Sequence, residues 1–140
     1  MSDRLVNILI VDDDEVDVLA VRRAFTKMKI ANPIHVAPDG LEALRKLRGE
    51  GCEPMPRPYL IMLDLNMPRM SGIEFLDALR ADPEHGHAVV FVLTSSRDEY
   101  QKIQAYDHHV AGYVVKSHMS DDFCKLASML GMYWQLVELP

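Results

Sequence analysis

The chain has 140 residues, 49% of them hydrophobic and 26% charged, with a formal net charge of -6. That composition suits one globular domain with a sizeable core, leaves no room for a second, and argues against disorder. The acidic balance argues against a nucleic-acid surface, which must neutralise phosphates, and no apolar stretch is long enough to cross a bilayer.

Short apolar runs alternate with helix-like segments. The runs Ile8–Val11, Ile34–Val36, Leu60–Leu63, Val89–Leu93 and Tyr113–Val115 read as strands. The first, third and fourth are continuously apolar, as parallel strands covered on both faces are. The second is short and interrupted by His35, which predicts an edge strand. Between them, Val16, Leu19, Ala20, Ala24 and Met28 recur at helical spacing, as do Leu41, Leu44 and Leu47, and then Ile73, Leu76 and Leu79. Capping-box patterns at Asp39 to Glu42, Ser71 to Glu74 and Ser96 to Glu99 predict three helix starts. A fourth helix, over 97–106, has the weakest apolar face, and a fifth covers 120–137. The segment 49–58, rich in proline and glycine, reads as a loop. The expected architecture is a (βα)5 doubly wound parallel sheet, one domain over 1–140, with 119–140 as C-terminal helix and arm.

Ligands of such sheets bind beyond the carboxyl ends of the strands. Asp12 and Asp13 follow the first strand, Asp64 follows the third, Thr94 ends the fourth and Lys116 follows the fifth. Any one of these could be an ordinary turn or cap residue. Together they place three carboxylates, a hydroxyl and an ammonium at one rim. Carboxylates so close cannot all stay ionised without a cation, and hard oxygen ligands suit Mg²⁺. A carboxylate nucleophile, a metal and donors for a phosphoryl group are the parts of phosphoryl transfer.

The motifs ILIVDDDE (8–15), IMLDLNMPRMSG (61–72), VLTSS (92–96) and GYVVK (112–116) resemble those of the response-regulator receiver domains of two-component systems. The resemblance implies the flavodoxin-like strand order 2-1-3-4-5. It also implies Asp64 as phosphoacceptor, Asp13 as a direct metal ligand with Asp12 acting through water, and a metal contact from the backbone carbonyl of Asn66. Thr94 becomes the switch hydroxyl, Lys116 its cationic partner, and Tyr113 the aromatic that moves with Thr94. The small Ser95 leaves room for phosphate. The family's usual proline after the lysine is here Ser117, which bears on the loop's shape. Asp14 has no role in that scheme beyond capping the first helix.

The resemblance further implies a sensor histidine kinase as phosphodonor. The segment 111–140 is similar to regulators paired with bacterial phytochromes. A rival reading is a small Mg²⁺-dependent phosphohydrolase with an aspartyl-phosphate intermediate; Asn66, where a second acid would serve such an enzyme, counts against it. The lone Cys52 and Cys124 fit free thiols in a cytoplasmic protein. His85, His87, His108 and His109 lack the spacing of a zinc site and read as surface loop residues. In the last helix, Phe123, Leu126, Ala127, Leu130, Tyr133, Trp134 and Val137 form a stripe that would dock on the sheet. Met129, Met132, Leu136 and Leu139 form a second stripe, which predicts a homodimer through this helix.

Overall fold

The computed structural model describes residues 6–95, 98–115, 128–130, 132–133 and 139–140. The strands are β1 (Asn7–Val11), β2 (Ile34–Ala37), β3 (Tyr59–Leu63), β4 (Val89–Thr94) and β5 (Gly112–Val115). The helices are α1 (Glu15–Lys27), α2 (Gly40–Arg48), α3 (Gly72–Ala81) and α4 (Glu99–Asp107). All strand pairs are parallel and the order is β2-β1-β3-β4-β5, as the sequence implies. The register sets Val11 beside both Ala37 and Leu63, and Thr94 beside Val115, so the carboxyl ends form one rim.

Strand alternation divides the core between two faces. Leu9, Val11, Ile61, Leu63, Val90 and Val92 meet Leu44 and Leu47 of α2, Phe75, Leu76 and Leu79 of α3, and Ala105 of α4. Ile8, Ile10, Leu60, Met62, Phe91 and Leu93 meet Val21, Ala24 and Phe25 of α1, together with Leu130. Each Val, Leu, Ile, Met or Phe among them contributes about 1.5–3 kcal/mol on full burial. β2 lies at the edge and is half-buried over most of its length.

The helices differ from the sequence expectation in instructive ways. Helix α1 carries two overlapping apolar stripes. The one that docks runs through Val18, Val21, Ala24 and Phe25, while Val16, Leu19 and Met28, expected inside, stay exposed. The phenyl ring of Phe25 supplies more apolar area than any side chain of the competing stripe, and it sets the rotation. Asp14 caps α1, accepting from the Val16 N–H at 2.9 Å. Ser71 and Glu74 form a complete capping box, and Asp39 accepts from the Glu42 N–H at 3.0 Å. The expected start of α4 at Ser96 is replaced by an Asp98 cap that accepts from the N–H groups of Tyr100 and Gln101. Of the α4 side chains, that of Ala105 is buried, whereas Tyr100, Ile103 and Tyr106 are exposed.

At the opposite end of the sheet, Arg80 of α3 donates to the carbonyls of Gly86, Ala88, His108 and His109 at 2.7–3.0 Å, clamping two loops. His85 is not a surface residue: it is buried, and its Nδ1 lies 2.6 Å from the Tyr59 hydroxyl. Burial there pushes the Tyr59 hydroxyl up to about 12. His108 is half-buried and pairs with Asp77 of α3 at 2.5 Å. In the C-terminal segment, residues 128–130 and 132–133 are helical. Leu130 is fully buried and Tyr133 meets Phe91 edge-on at 5.4 Å, as expected of the docking stripe. Met129 and Met132 face solvent, but Leu139, expected beside them, packs against the core of the α1 face.

Candidate functional site

The sheet ladder continues one residue past β1 and β3. The Asp12 N–H donates to the Ala37 carbonyl at 3.0 Å and the Asp64 N–H to the Val11 carbonyl at 2.9 Å. These bonds fix the backbone of both acids at the strand ends. Asp12, Asp13 and Asp64 then converge, with one carboxylate oxygen of each lying within 4.8 Å of the others. Asp12 and Asp64 are buried and Asp13 is exposed, so the cluster opens to solvent on one side.

Local hydrogen bonds orient the group. Asp12 Oδ1 accepts from the Asp14 N–H at 2.8 Å, and Asp64 Oδ1 accepts from the Asn66 N–H at 3.3 Å. Asn66 Nδ2 lies 3.5 Å from Oγ1 of Thr94, which is fully buried at the end of β4. A cavity of about 770 Å³ opens above, lined by Asp13, Asp64, Asn66 and Ser95, with Asp14, Glu15 and Asp17 on the α1 side. Three carboxylates this close repel one another, and their hard oxygens suit a small divalent cation that retains water. The donor set therefore fits Mg²⁺.

The loop after β3 is held from two directions. A Cβ on Gly72 would lie 2.5 Å from the Leu65 Cα and 2.8 Å from the Asp64 carbonyl oxygen, so α3 can approach the acid only through a glycine. Arg69 adopts a left-handed φ of 65° and donates Nε and Nη2 to Asp39 Oδ2. This pair escaped the sequence reading because Arg69 and Asp39 are 30 residues apart and match no motif. A second link was also missed. Gln101 Nε2 of α4 lies 3.4 Å from Asn66 Oδ1. The weak apolar pattern of α4 gave no hint of which side faces the rim.

The structure thus gathers Asp12, Asp13, Asp64, Asn66, Ser95 and Thr94 at one rim. Tyr113 sits beside Val92, two residues back from that rim, and packs against the core of the α2–α3 face. Lys116 and Ser117, with the question of the bond between them, lie outside the described residues.

Comparison with known proteins agrees with this arrangement. Residues 8–128 match the family model described as response regulator receiver domain. Response regulator Rcp1 of Synechocystis sp. is 35% identical over 135 residues, covering 95% of this chain and 92% of its own length. The crystal structure of its Mn²⁺-bound form superposes with a TM-score of 0.82 at 33% identity, covering 96% of this chain and 99% of that one. The phosphorylated cyanobacterial phytochrome response regulator RcpA gives 0.83 at 27% identity, covering 98% and 99%. The bacteriophytochrome response regulator AtBRR gives 0.65 at 33%, covering 81% and 83%.

Proposed function

The chain belongs to the response-regulator receiver family, and on that premise we propose that Asp64 is its phosphoacceptor, in a switch that catalyses its own phosphorylation and dephosphorylation. The observation that carries this reading is the convergence of Asp12, Asp13 and Asp64 within 4.8 Å at the mouth of a cavity that Asp64 itself lines. Asp64 follows the end of β3 and shares the cavity lining with Asn66 and Ser95. Asp12, Asp13, Asp64 and the Asn66 backbone carbonyl would hold Mg²⁺, which, when bound, offsets the negative charge of acids and phosphoryl group.

In transfer from a phosphohistidine, an Asp64 oxygen forms a bond to phosphorus. The P–N bond breaks and its electron pair stays on the imidazole. Thr94 Oγ1 donates to a phosphoryl oxygen, Lys116 supplies the cation, and Tyr113 follows Thr94 as the conformational readout. The donor in this reading is a sensor histidine kinase of the bacterial phytochrome type, supported by the phytochrome regulators that this chain resembles. Output is a protein contact or onward phosphotransfer, in the cytoplasm. No described helix is long and apolar enough to cross a membrane. The exposed Met129 and Met132 support a homodimer through the C-terminal helix.

Incubation with acetyl phosphate and Mg²⁺ tests the acceptor. One phosphoryl group should add by intact mass, and Asp64→Asn should abolish it. Labelling of that variant as strong as that of the parent would remove Asp64 from the role. Turnover of a generic phosphate ester would favour the phosphohydrolase instead.

A further inference from the structure

Helix α4 reaches the rim through the Gln101 side chain, and the direction of its hydrogen bond to Asn66 has a chemical consequence. Gln101 Nε2 donates to Asn66 Oδ1 at 3.4 Å, and Asn66 Nδ2 donates to Thr94 Oγ1 at 3.5 Å. The Asn66 backbone N–H is 3.3 Å from Asp64 Oδ1. Donors therefore run in one sense, from the helix to the rim. We propose that Gln101 is a positioning residue for the lifetime of the phosphorylated state, holding the Asn66 amide with its N–H2 group turned toward Thr94 and its only acceptor turned away.

The argument rests on the reading of Asp64 as acceptor and on the inventory of an amide. An asparagine side chain has one acceptor oxygen and one donor NH2, and a half-turn exchanges them. The Thr94 hydroxyl has a single hydrogen. Once that hydrogen is donated to a phosphoryl oxygen, Thr94 can only accept from Asn66, so Asn66 must present its NH2. Its Oδ1 then faces α4 and needs a donor there, which Gln101 supplies. With the Thr94 hydrogen committed to a phosphoryl oxygen, the chain is coherent in the sense observed and incoherent in the reverse sense.

Hydrolysis of the aspartyl phosphate needs the opposite. A water oxygen bonds phosphorus in line, the bond from phosphorus to the Asp64 oxygen breaks, and its electron pair returns to the carboxylate. Both water hydrogens leave on dihydrogen phosphate, in equilibrium with solvent. An acceptor beside that water would orient it, and Asn66, which lines the cavity, would offer its Oδ1 for this after a half-turn. Gln101, in the orientation observed, opposes the half-turn, which would require its own amide to turn as well. Both links are at the long end of the hydrogen-bond range, so the effect is a bias between two amide orientations and not a lock.

The test uses the full chain, phosphorylated with acetyl phosphate and Mg²⁺ and then desalted, with decay followed by intact mass. Gln101→Met should decay about three- to tenfold faster than the parent. Gln101→Glu, which can only accept, should decay at least as fast as Gln101→Met. In an Asn66→Ala background both substitutions should lose their effect, because the group they orient is gone. Lys102→Met, on the same helix, should decay like the parent. Decay of Gln101→Met and Gln101→Glu at or below the parent rate overturns the inference. So does equal acceleration in the Asn66→Ala background or in Lys102→Met, since a loosened helix would give either result. Unlabelled parent protein, or labelled Asp64→Asn, would overturn the acceptor reading and this inference with it. A parent labelled at Asp64 with decay indifferent to Gln101 sinks this inference alone.

Discussion

Arg69 places two N–H donors on one oxygen of Asp39, and in doing so ties the loop after Asp64 to the first turn of α2. Asp39 is 2% exposed and also caps that helix. Burial pushes its carboxyl up, but the N–H groups of Glu42 and Leu41 and the Arg69 guanidinium outweigh this and hold it below the usual carboxylate value. A depressed carboxylate stabilises the fold above its unfolded value of about 3.9 and loses that contribution as pH falls through its lower folded value.

Asp39→Ala should therefore cost about 1–2 kcal/mol at neutral pH through loss of the cap, read from urea unfolding. Arg69→Met should cost less, because the guanidinium is largely exposed and its pairing is screened by solvent. The gap between Asp39→Ala and the parent should narrow below about pH 4. A constant gap down to acid unfolding would show that the carboxylate's charge contributes nothing.

Asp13 is the exposed member of the acid cluster and the one expected to touch the metal directly. Removing it leaves Asp12 and Asp64 in place but lowers the charge that attracts a cation. Calorimetric titration with Mg²⁺ should show weak binding in the parent and at least a tenfold loss in Asp13→Ala, the scale of one ligand among a few. Equal affinity in the variant would move the ion elsewhere.

His108 links the end of α4 to α3. Its ring lies 2.6 Å from the Gln104 carbonyl and 2.5 Å from Asp77. The bond to Gln104 raises its pKa most; partial burial opposes this, and Asp77 and Asp107 add to the rise. A raised histidine stabilises the fold below its unfolded value of about 6.5 and loses that contribution as pH climbs through the folded value. Stability should thus decline on the alkaline side of pH 6.5, by less than about 1 kcal/mol because Asp77 is exposed. His108→Gln should flatten that decline. An unaltered pH profile in the variant would assign the effect to another group.

Met129 and Met132 are 39% and 61% exposed on the outer side of the helical residues whose inner side carries buried Leu130. Light scattering at tens of micromolar should report a dimer for the full chain. Met132→Glu should shift it toward monomer, since a carboxylate in an apolar contact is costly to desolvate. A monomeric parent would end the proposal of dimerisation through this helix.

The order of elements and the gathering of acids at the rim were legible because both depend on position along the chain. A strand that is apolar throughout announces that both faces are covered, and a polar residue just after it lies at the carboxyl end. Which stripe of α1 docks was not legible, because Leu19 and Phe25 compete as local patterns and the choice belongs to the packed sheet. The environment of His85 was hidden for a similar reason: its partner Tyr59 is distant in sequence. The links of Asp39 with Arg69 and of Asn66 with Gln101 needed the loops to be closed first.

Among the described residues, helix α4 buries one side chain, that of Ala105, while two tyrosines and an isoleucine face outward and its end is tied to α3 by His108. The free energy needed to lift this helix, with the rest of the sheet intact, is therefore a small part of that needed to unfold the protein. Its amides should exchange with solvent deuterium well before those of α3, whose Phe75, Leu76 and Leu79 are fully buried. A segment so lightly seated can change position at small cost when a group at the rim changes, whereas a deeply keyed helix would resist.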